Sequence, residues 1–447
     1  MNLNREILRL SVPSILANIT VPLVGMVDIA VVGHLGGEAA VHIGGISIGS
    51  MLFDLLYWSF AFLRTGTGGL TAQAYGRGDN AAVAATLRRA LRIALLSGVA
   101  LLALQWPVAW AAFQLIPCSP AVQEMARRYF FLRIWAAPAT LSLFALKGWF
   151  IGMQDSLRPM TADLLVNGVN ILLSVVLSYG LPGLWNGLGF SGVALGTVIA
   201  QWSGFLYCLL ALRRRYRPVL RTDAASDTAW NAGAFFALNR DLVLRSFGMI
   251  AVYIGFTFLS ARYGDLMLAV SSILMKFLLI FSYFTDGFAY AGEALTGRFI
   301  GERSAPGIRS AVRGTFAWSG GVALVFIALY GLGGMPLLRL MSSDTSVVEA
   351  GRAFLPWLLL MPLIGCPAFV WDGIFIGATA GPELRNSTLL CALGFFAVWW
   401  GLSRLHPPGI DPEVYGIHAL LAAYFVHLLI RALYLTLRYR AAVLSRV

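Results

Sequence analysis

The stretch that decides the fold runs from residue 13 to residue 36 and reads Pro13-Ser-Ile-Leu-Ala-Asn-Ile-Thr-Val-Pro22-Leu-Val-Gly-Met-Val-Asp28-Ile-Ala-Val-Val-Gly-His-Leu-Gly36. It is long enough to cross a bilayer as a helix, yet its apolar run holds one carboxylate and two prolines. An ionised Asp at that depth costs at least ~2.5 kcal/mol on insertion scales, so we expect Asp28 to be neutral, partnered or beside a water-filled cavity. Asp28 is therefore a candidate proton or cation site. Pro13 and Pro22 each remove a backbone donor, which makes them candidate bending points.

The composition excludes an ordinary soluble protein. Of 447 residues, 58% are hydrophobic and 12% are charged, whereas soluble domains carry about 25% charged residues. The formal net charge of +12 comes from basic residues scattered in short loops, which favours membrane orientation over nucleic acid as its explanation. The four cysteines form no CxxC pair and the histidines show no metal-ligand spacing, so we expect neither a metal nor another cofactor.

Twelve apolar runs are long enough to span a membrane, which predicts an all-α polytopic membrane protein. Their approximate limits are residues 10–33, 43–74, 90–116, 129–151, 160–182, 191–212, 242–262, 267–297, 314–334, 353–377, 387–403 and 416–437. An even number of spans places both termini on one side. Most loop arginines lie on that side, so we expect both termini to be cytoplasmic and the protein to reside in the cytoplasmic (inner) membrane.

One long polar stretch divides the chain near its midpoint. We expect an N-terminal six-helix bundle at residues 1–212, a cytoplasmic linker at 213–240 and a C-terminal six-helix bundle at 241–447. The halves resemble each other, because Gly148-Trp-Phe-Ile-Gly152 corresponds to Gly373-Ile-Phe-Ile-Gly377, 225 positions later. Six helices per repeat give two copies of the same orientation, related by a pseudo-twofold axis along the membrane normal.

Four stretches of the sequence carry a resemblance to a known family: Pro22 to Gly36, Phe62 to Gly76, Asp286-Gly-Phe-Ala-Tyr-Ala-Gly-Glu293-Ala and Trp371-Asp372-Gly-Ile-Phe-Ile-Gly377-Ala-Thr. With them the chain resembles the multidrug and toxic compound extrusion (MATE) family, in particular its DinF-type branch. The resemblance implies a V-shaped transporter of twelve helices that alternates access and is not an enzyme. It also implies a monomer among membrane lipids that exports small organic compounds, often cationic or amphipathic, in exchange for a proton.

The resemblance further implies roles for individual residues. Asp28 corresponds to the coupling acid of the family's first helix, and Pro13, fifteen residues earlier, to its bending point. The family surrounds this acid with an Asn followed four residues later by an Asp, and with a Thr on the next helix. Asn170 and Thr197 match this pattern, but Ser174 stands where the second acid is expected. A single carboxylate favours protonation over a dehydrated sodium site, which prefers several oxygen ligands.

Three alternatives to proton-coupled efflux follow from the same residues. A sodium-coupled antiporter of the same family differs only in its cation. A flippase for lipid-linked precursors shares the two-bundle plan but needs a strongly cationic central cavity. An intramembrane enzyme needs acids or histidines clustered at catalytic spacing, and in this sequence they are dispersed.

A second polar network is expected in the C-terminal half. Asp286 and Glu293 lie seven residues apart and hence on one face of a helix, and Asp372 and Lys276 lie in apolar runs nearby. These residues form either a cation path or structural ion pairs. Aromatic faces attract organic cations by roughly 0.5 to 2 kcal/mol, so the candidate cavity-lining residues, with core or lipid packing as the alternative, are Tyr57, Trp58, Gln201 and Trp202.

Overall fold

The structure is a computed structural model that describes residues 2–36, 39–116, 118–181, 183–221, 232–342, 344–405, 407, 409 and 411–447. In the first half the helices are α1 Leu3–Gly33, α2 Ala39–Trp58, α3 Phe62–Gly76, α4 Asn80–Ala103, α5 Gln105–Leu115, α6 Pro120–Arg133, α7 Ala137–Gly152, α8 Leu157–Tyr179 and α9 Phe190–Arg215. In the second half they are α10 Arg217–Leu220, α11 Ala232–Ser260, α12 Gly264–Gly301, α13 Ala305–Met341, α14 Thr345–Arg352, α15 Leu355–Gly377, α16 Gly381–Ser403 and α17 Pro412–Ala442.

The remaining regular structure is short. Two antiparallel strands, β1 Gly180–Leu181 and β2 Trp185–Asn186, form a hairpin between α8 and α9. Single 3₁₀ turns lie at Ile134–Ala136, Ala261–Tyr263 and Leu444–Arg446. The prediction of an all-α fold is therefore confirmed.

The described residues contain ten helical runs that are long and apolar enough to cross a membrane, or eleven if α4 and α5, which are bent by 66°, form one span. One run covers 64 residues, from Leu238 to Gly301, which is about 96 Å of straight helix and roughly three times the hydrocarbon thickness. It contains α11 and α12, separated by a 3₁₀ turn and by Gly264, whose φ of 86° lies in the left-handed region. Counted as two spans, it brings the total to the predicted twelve.

The chain forms two compact units. The first unit consists of residues 16–230, and the second unit consists of residues 1–15 together with residues 231–447. Helix α1 belongs to both, because its first residues pack with the second unit. There Glu6 forms an ion pair of 3.2 Å with Arg298 on α12, and Trp318 on α13 donates a 3.3 Å hydrogen bond to Asn4. Of the expected linker at 213–240, residues 222–231 lie outside the described part of the chain.

Aromatic residues from α2 and α6 form the core of the unit at residues 16–230. Phe53 stacks on Phe130 with ring centroids 5.3 Å apart and meets Tyr129 edge-on at 6.4 Å. A Cβ atom at Gly45 or Gly49 would collide with side chains of α6. The small residues of α2 thus permit the close approach of α6 that this core requires.

The glycines that indicated an internal repeat have a packing role in the first unit. Cβ atoms added at Gly148 and Gly152 of α7 would meet the backbone carbonyl oxygens of Arg64 and Gly68 in α3. The two helices are therefore in backbone contact at these positions, and a larger side chain does not fit.

The corresponding glycines have the same role in the second unit. Cβ atoms added at Gly373 and Gly377 of α15 would meet the backbone carbonyl oxygens of Ala289 and Glu293 in α12. Each glycine and each carbonyl contact lies 225 positions after its counterpart in the first unit. The internal similarity of the sequence is therefore expressed as the same contact between equivalent helices.

Two unusual backbone conformations repeat with the same separation. Gly78 and Arg303 have φ values of 69° and 53°, and Gln154 and Thr379 have φ values of 61° and 51°. Non-glycine residues seldom adopt positive φ. Their recurrence at equivalent turns, after α3 and α12 and after α7 and α15, supports a common architecture for the two units.

Candidate functional site

Asp28 lies in the last quarter of α1 and is 7% exposed. Its Oδ1 atom accepts a 2.8 Å hydrogen bond from Oγ of Ser174 on α8. Among the described residues, no lysine or arginine forms an ion pair with this carboxylate. Asp28 is therefore a buried acid with a neutral hydroxyl as its partner.

Asn170 and Thr197 form a second contact next to this pair. Nδ2 of Asn170 donates a 2.8 Å hydrogen bond to Oγ1 of Thr197 on α9, which itself donates to the carbonyl oxygen of Val193 at 3.1 Å. Asn170 and Ser174 are one helical turn apart and thus share a face of α8. The contact of Asp28 with Ser174 and the contact of Asn170 with Thr197 therefore lie one helical turn apart on α8, which joins α1 on one side and α9 on the other.

The amide oxygen of Asn170 has an unused hydrogen-bonding capacity. This atom is buried and has no hydrogen-bond partner among the described residues, although buried polar atoms are normally paired. An acceptor of this kind, one turn from Ser174, is available to a cation, to a water molecule or to a donor group of a substrate.

Two further hydrogen bonds join α1 to α8 and were not anticipated from the sequence. Asn167 Nδ2 donates to Thr20 Oγ1 at 2.6 Å, and the Tyr179 hydroxyl donates to the carbonyl oxygen of Val31 at 3.1 Å. With the bond from Ser174, they make a polar seam along one side of α1. The sequence feature that could have predicted these bonds is the spacing of polar residues on α8, an otherwise apolar helix.

A cation lies near this site without binding the carboxylate directly. Nη1 of Arg133 donates hydrogen bonds to the Tyr129 hydroxyl at 2.9 Å and to Ser50 Oγ at 3.3 Å. Its guanidinium carbon lies 4.8 Å from the ring centroid of Phe53, in a cation–π contact. The charge of Arg133 also interacts electrostatically with Asp28, so it contributes to the field that the acid experiences.

The predicted cavity-lining residues differ in their surroundings. Tyr57 is buried in the aromatic core, 5.5 Å from Phe53 between ring centroids. Trp58 is 43% exposed and Trp202 is 42% exposed, and Trp202 donates its indole N–H to the carbonyl oxygen of Trp135 at 3.1 Å. Gln201, next to Trp202 on α9, is half-buried.

Pro13 and Pro22 both lie within α1, which is continuous from Leu3 to Gly33. Proline at these positions leaves the carbonyl groups of Arg9 and Asn18 without their helical donors. The helix passes from one compact unit to the other between Ile15 and Leu16, two residues after Pro13.

In the second unit, Asp372 on α15 lies between two arginines. It accepts a 2.7 Å hydrogen bond from Arg245 on α11 and a 3.0 Å hydrogen bond from Nε of Arg431 on α17, and Arg431 also contacts its second oxygen. Arg431 is 2% exposed, so this cluster is enclosed. The acid is predicted from the sequence but neither partner is, although both arginines interrupt apolar helices.

The other members of the predicted second network are less closely joined. Asp286 on α12 interacts electrostatically with Arg431, which links it to the Asp372 cluster. Glu293, two turns further along α12, is completely buried. The expected pairing of an acid with Lys276 is not found among the described residues, because this lysine is exposed and the partners of Asp372 are arginines.

No group of three or more His, Cys, Asp or Glu side chains within the described ranges is arranged to hold a metal ion. A half-buried ion pair, between Lys147 on α7 and Asp163 on α8, joins two helices of the first unit. The carboxylate of Asp28, which is held by a hydroxyl group, thus contrasts with those of Asp163 and Asp372, which form ion pairs.

Comparison with known proteins identifies relatives over most of the chain. The MatE family model matches residues 13–176 and 242–382. The chain is 37% identical over 439 residues to the DNA damage-inducible protein F of Escherichia coli (strain K12), covering 98% of this chain and 92% of the relative. It is 28% identical over 414 residues to the probable multidrug resistance protein NorM of Bradyrhizobium diazoefficiens, covering 88% and 84% respectively.

A solved structure has the same fold. A MOP superfamily transporter from Pyrococcus furiosus aligns with a TM-score of 0.83 at 19% sequence identity, covering 100% of this chain and 97% of that chain. The similarity extends through both compact units.

Proposed function

Because this chain belongs to the MatE family of multidrug and toxic compound extrusion transporters, we propose that it is a secondary active antiporter that exports organic, often cationic or amphipathic compounds in exchange for protons. Family membership and the apolar helices make it a multi-pass membrane transporter. Our proposal adds the proton as the coupling ion, Asp28 as its binding residue and a cytoplasmic location for both termini.

The observation that carries the proposal is the state of Asp28. Its carboxylate is buried and accepts a hydrogen bond from Ser174 at 2.8 Å, without an ion pair among the described residues. A carboxylate held by a fixed cation remains charged, whereas one held by a hydroxyl can be neutralised by a proton. When ionised, Asp28 attracts a cationic substrate. When protonated, it loses that attraction and releases the substrate.

The position of Asp28 on α1 connects protonation to a change of conformation. Asp28 forms part of the polar seam between α1 and α8, so a change in its charge alters how strongly α1 is held there. Pro13 weakens the same helix next to the point where it passes from one unit to the other. We therefore propose that α1 bends near Pro13 when the hydrogen bonds of Asp28 change, with Pro22 as a second point of flexibility.

The oxygen ligands around Asp28 favour a proton over sodium. Ser174 and Thr197 supply hydroxyl groups and Asn170 supplies an amide oxygen, but Asp28 is the only carboxylate among these four residues. A cation that must lose its water needs several strong oxygen ligands. A proton needs only one acid.

The second unit gives no support to the flippase alternative. A site for a pyrophosphate group requires cationic side chains that are free to bind it, but Arg245 and Arg431 are both engaged by Asp372, and Arg431 also interacts with Asp286. The positive charges of the two arginines are therefore balanced by the negative charges of the two aspartates. We assign this cluster a structural role in joining α11, α15 and α17.

Transport by the purified chain in proteoliposomes tests the proposal. A fluorescent organic cation should move against its gradient when a proton gradient is imposed, and an equal sodium gradient at constant pH should have no effect. Acceleration by sodium alone would overturn the proton assignment, and equal flux without any gradient would indicate a passive pathway.

Substitution of Asp28 tests the residue assignment. Asp28→Asn keeps the size of the side chain and its hydrogen bond to Ser174 but cannot release a proton, so it should abolish transport driven by the proton gradient. The matched control is Asp344→Asn, which removes an exposed carboxylate beside α14 and should leave transport unchanged. Normal efflux by Asp28→Asn, with folding confirmed by its elution profile, would remove Asp28 from the mechanism.

A further inference from the structure

A basic cavity lies in the second unit, and the residues that line it are not among the hydrogen-bond or ion-pair partners of Asp28 or Asp372. It has a volume of about 640 Å³ and is lined by residues from α13, α17 and the turn that follows α17, namely Arg309, Val312, Arg313, Tyr439, Arg440 and Leu444. This volume is within the range of sites for small organic ligands, about 300 to 1,000 Å³. All six residues belong to the same compact unit.

The charges in this cavity are not balanced by acids. Arg309, Arg313 and Arg440 are exposed, and none of them forms an ion pair with an acid in the part of the chain that the structure describes. The contrast is with Arg438, close by on α17, whose guanidinium binds Glu383 at 2.7 Å. Three arginines that face one cavity without a carboxylate form a site suited to an anion.

A hydroxyl group completes this site. The oxygen of Tyr439 is buried and has no hydrogen-bond partner among the described residues, and it interacts electrostatically with Arg309 and Arg313. Its ring is fixed against Trp371, with centroids 5.0 Å apart. Guanidinium groups and a hydroxyl donor are the groups that recognise phosphate oxygens.

The position and walls of the cavity identify the anion as part of a lipid. Helix α13 has 37 residues and is about 55 Å long, which exceeds the thickness of a bilayer including its headgroups, about 40 to 45 Å. Arg309 and Arg313 lie near the start of this helix and Arg440 lies in the last turn of α17, so in the proposed topology all three lie near the lipid headgroups. Val312 and Leu444 add apolar surface between the cationic groups, as a headgroup attached to acyl chains requires.

We propose that this cavity binds the phosphate headgroup of an anionic phospholipid. In the proposed topology it faces the cytoplasmic leaflet, whose anionic lipids attract basic side chains near the membrane surface. The lipid phosphate lies between the three guanidinium groups and accepts a hydrogen bond from the Tyr439 hydroxyl, and the bound lipid links the start of α13 to the end of α17.

Native mass spectrometry of the full chain, titrated with phosphatidylglycerol or with phosphatidylcholine, tests this site. The wild type should retain phosphatidylglycerol in preference to phosphatidylcholine. Each Arg→Gln change at positions 309, 313 and 440 should weaken retention roughly fivefold, and Tyr439→Phe should weaken it less. The matched control combines Arg339→Gln, Arg352→Gln and Arg404→Gln, which removes the same charge from exposed positions at the other ends of the helices.

The outcomes distinguish the possible occupants. Loss of phosphatidylglycerol from the triple variant at 309, 313 and 440, together with normal retention by the control, supports the site. Equal retention by both triple variants would overturn it. Displacement of the lipid by an equal concentration of inorganic phosphate would also overturn it, because the cavity would then bind a free anion rather than a lipid. Circular dichroism of each variant establishes that the comparison is between folded proteins.

Discussion

The Oγ atom of Ser174 lies 2.8 Å from Oδ1 of Asp28, and this hydrogen bond connects α8 to the carboxylate in the apolar part of α1. In the second unit, the buried carboxylate of Asp372 has two arginines in the corresponding role of partner. A hydroxyl holds a carboxyl group in either protonation state, whereas two guanidinium groups favour only the ionised state. The difference supports the proposed titrating role of Asp28 and the proposed structural role of Asp372.

Removal of the Ser174 hydroxyl should weaken both transport and stability. Ser174→Ala leaves the buried Asp28 without a donor, and hydrogen bonds to charged groups contribute about 1.5 to 3 kcal/mol, compared with about 0.5 to 1.5 kcal/mol for neutral pairs. If Asp28 becomes ionised between pH 5 and pH 8, as the proposed function requires, the loss of stability should be greater at pH 8. Thermal unfolding of the purified protein at the two pH values measures this difference.

Ser174→Thr is the matched control, because it keeps the hydroxyl while adding one methyl group. It should retain most of the transport activity and show a smaller change in unfolding temperature than Ser174→Ala. If the destabilisation by Ser174→Ala is the same at both pH values, the hydroxyl does not respond to the charge of Asp28.

Replacement of Pro13 should slow transport without destabilising the protein. Pro13→Ala restores the backbone N–H that can donate to the carbonyl of Arg9, and a proline in a helix interior costs about 3 kcal/mol relative to alanine. A straighter and stiffer α1 should therefore unfold at the same or a higher temperature. Proton-driven efflux in proteoliposomes, normalised to the amount of folded protein, should fall several-fold.

Pro306 provides the comparison for this experiment. It lies in the first turn of α13, where no intrahelical donor is required, so Pro306→Ala should leave both transport and stability nearly unchanged. Wild-type transport rates in Pro13→Ala would show that bending at this position is not part of the cycle.

Much of the fold follows from hydrophobicity alone. The predicted spans agree with the helices because runs of apolar residues must cross the membrane as helices, and the resemblance to the MATE family is confirmed by the comparisons. Breaks within apolar runs were not predicted. The run at 43–74 is divided into α2 and α3, and α5 bends away from α4 by 66°, because such breaks depend on neighbouring helices rather than on local hydrophobicity.

In the candidate site too, individual residues could be predicted from the sequence, but the contacts between helices could not. The resemblance to the MATE family pointed to Asn170 and Ser174, and a lone acid in an apolar helix marked Asp28. The hydrogen bonds of Thr20 with Asn167 and the ion pairs of Asp372 depend on which helices become neighbours. A sequence without an alignment contains no direct record of such pairs.

Breaking the Asp372 cluster should be strongly destabilising. Asp372→Ala leaves Arg431, which is 2% exposed, as an uncompensated buried charge, and removal of one partner from a buried ion pair costs about 3 to 5 kcal/mol. Arg245→Ala should cost less, because Asp372 keeps its contacts with Arg431. Thermal unfolding monitored by circular dichroism should show this order.

The pair between Arg438 and Glu383 is the control for that series, because Arg438 is half-exposed. Arg438→Ala leaves Glu383 its hydrogen bond from the Tyr434 hydroxyl, so it should have a smaller effect on the unfolding temperature. If Asp372→Ala were no more destabilising than Arg438→Ala, the buried cluster would not contribute to stability. If Arg245→Ala were the more costly change, the assignment of Arg431 as the principal partner would be wrong.

Glycine-to-alanine substitutions at equivalent positions of the two units should destabilise the protein by similar amounts. Gly148→Ala and Gly373→Ala each place a methyl group against the backbone carbonyl of the neighbouring helix, at Arg64 and at Ala289. Backbone atoms cannot rotate away, so each change should cost at least the 1 to 3 kcal/mol that is roughly typical of overpacking.

Gly168→Ala is the control, since a Cβ there meets nothing within 4 Å and alanine is the better helix former by about 1 kcal/mol. Unfolding temperatures should fall by similar amounts in the first two variants and stay level or rise in the third. A large fall in unfolding temperature at only one of the two positions would show that the equivalent contacts contribute different amounts to stability, although their geometry is the same.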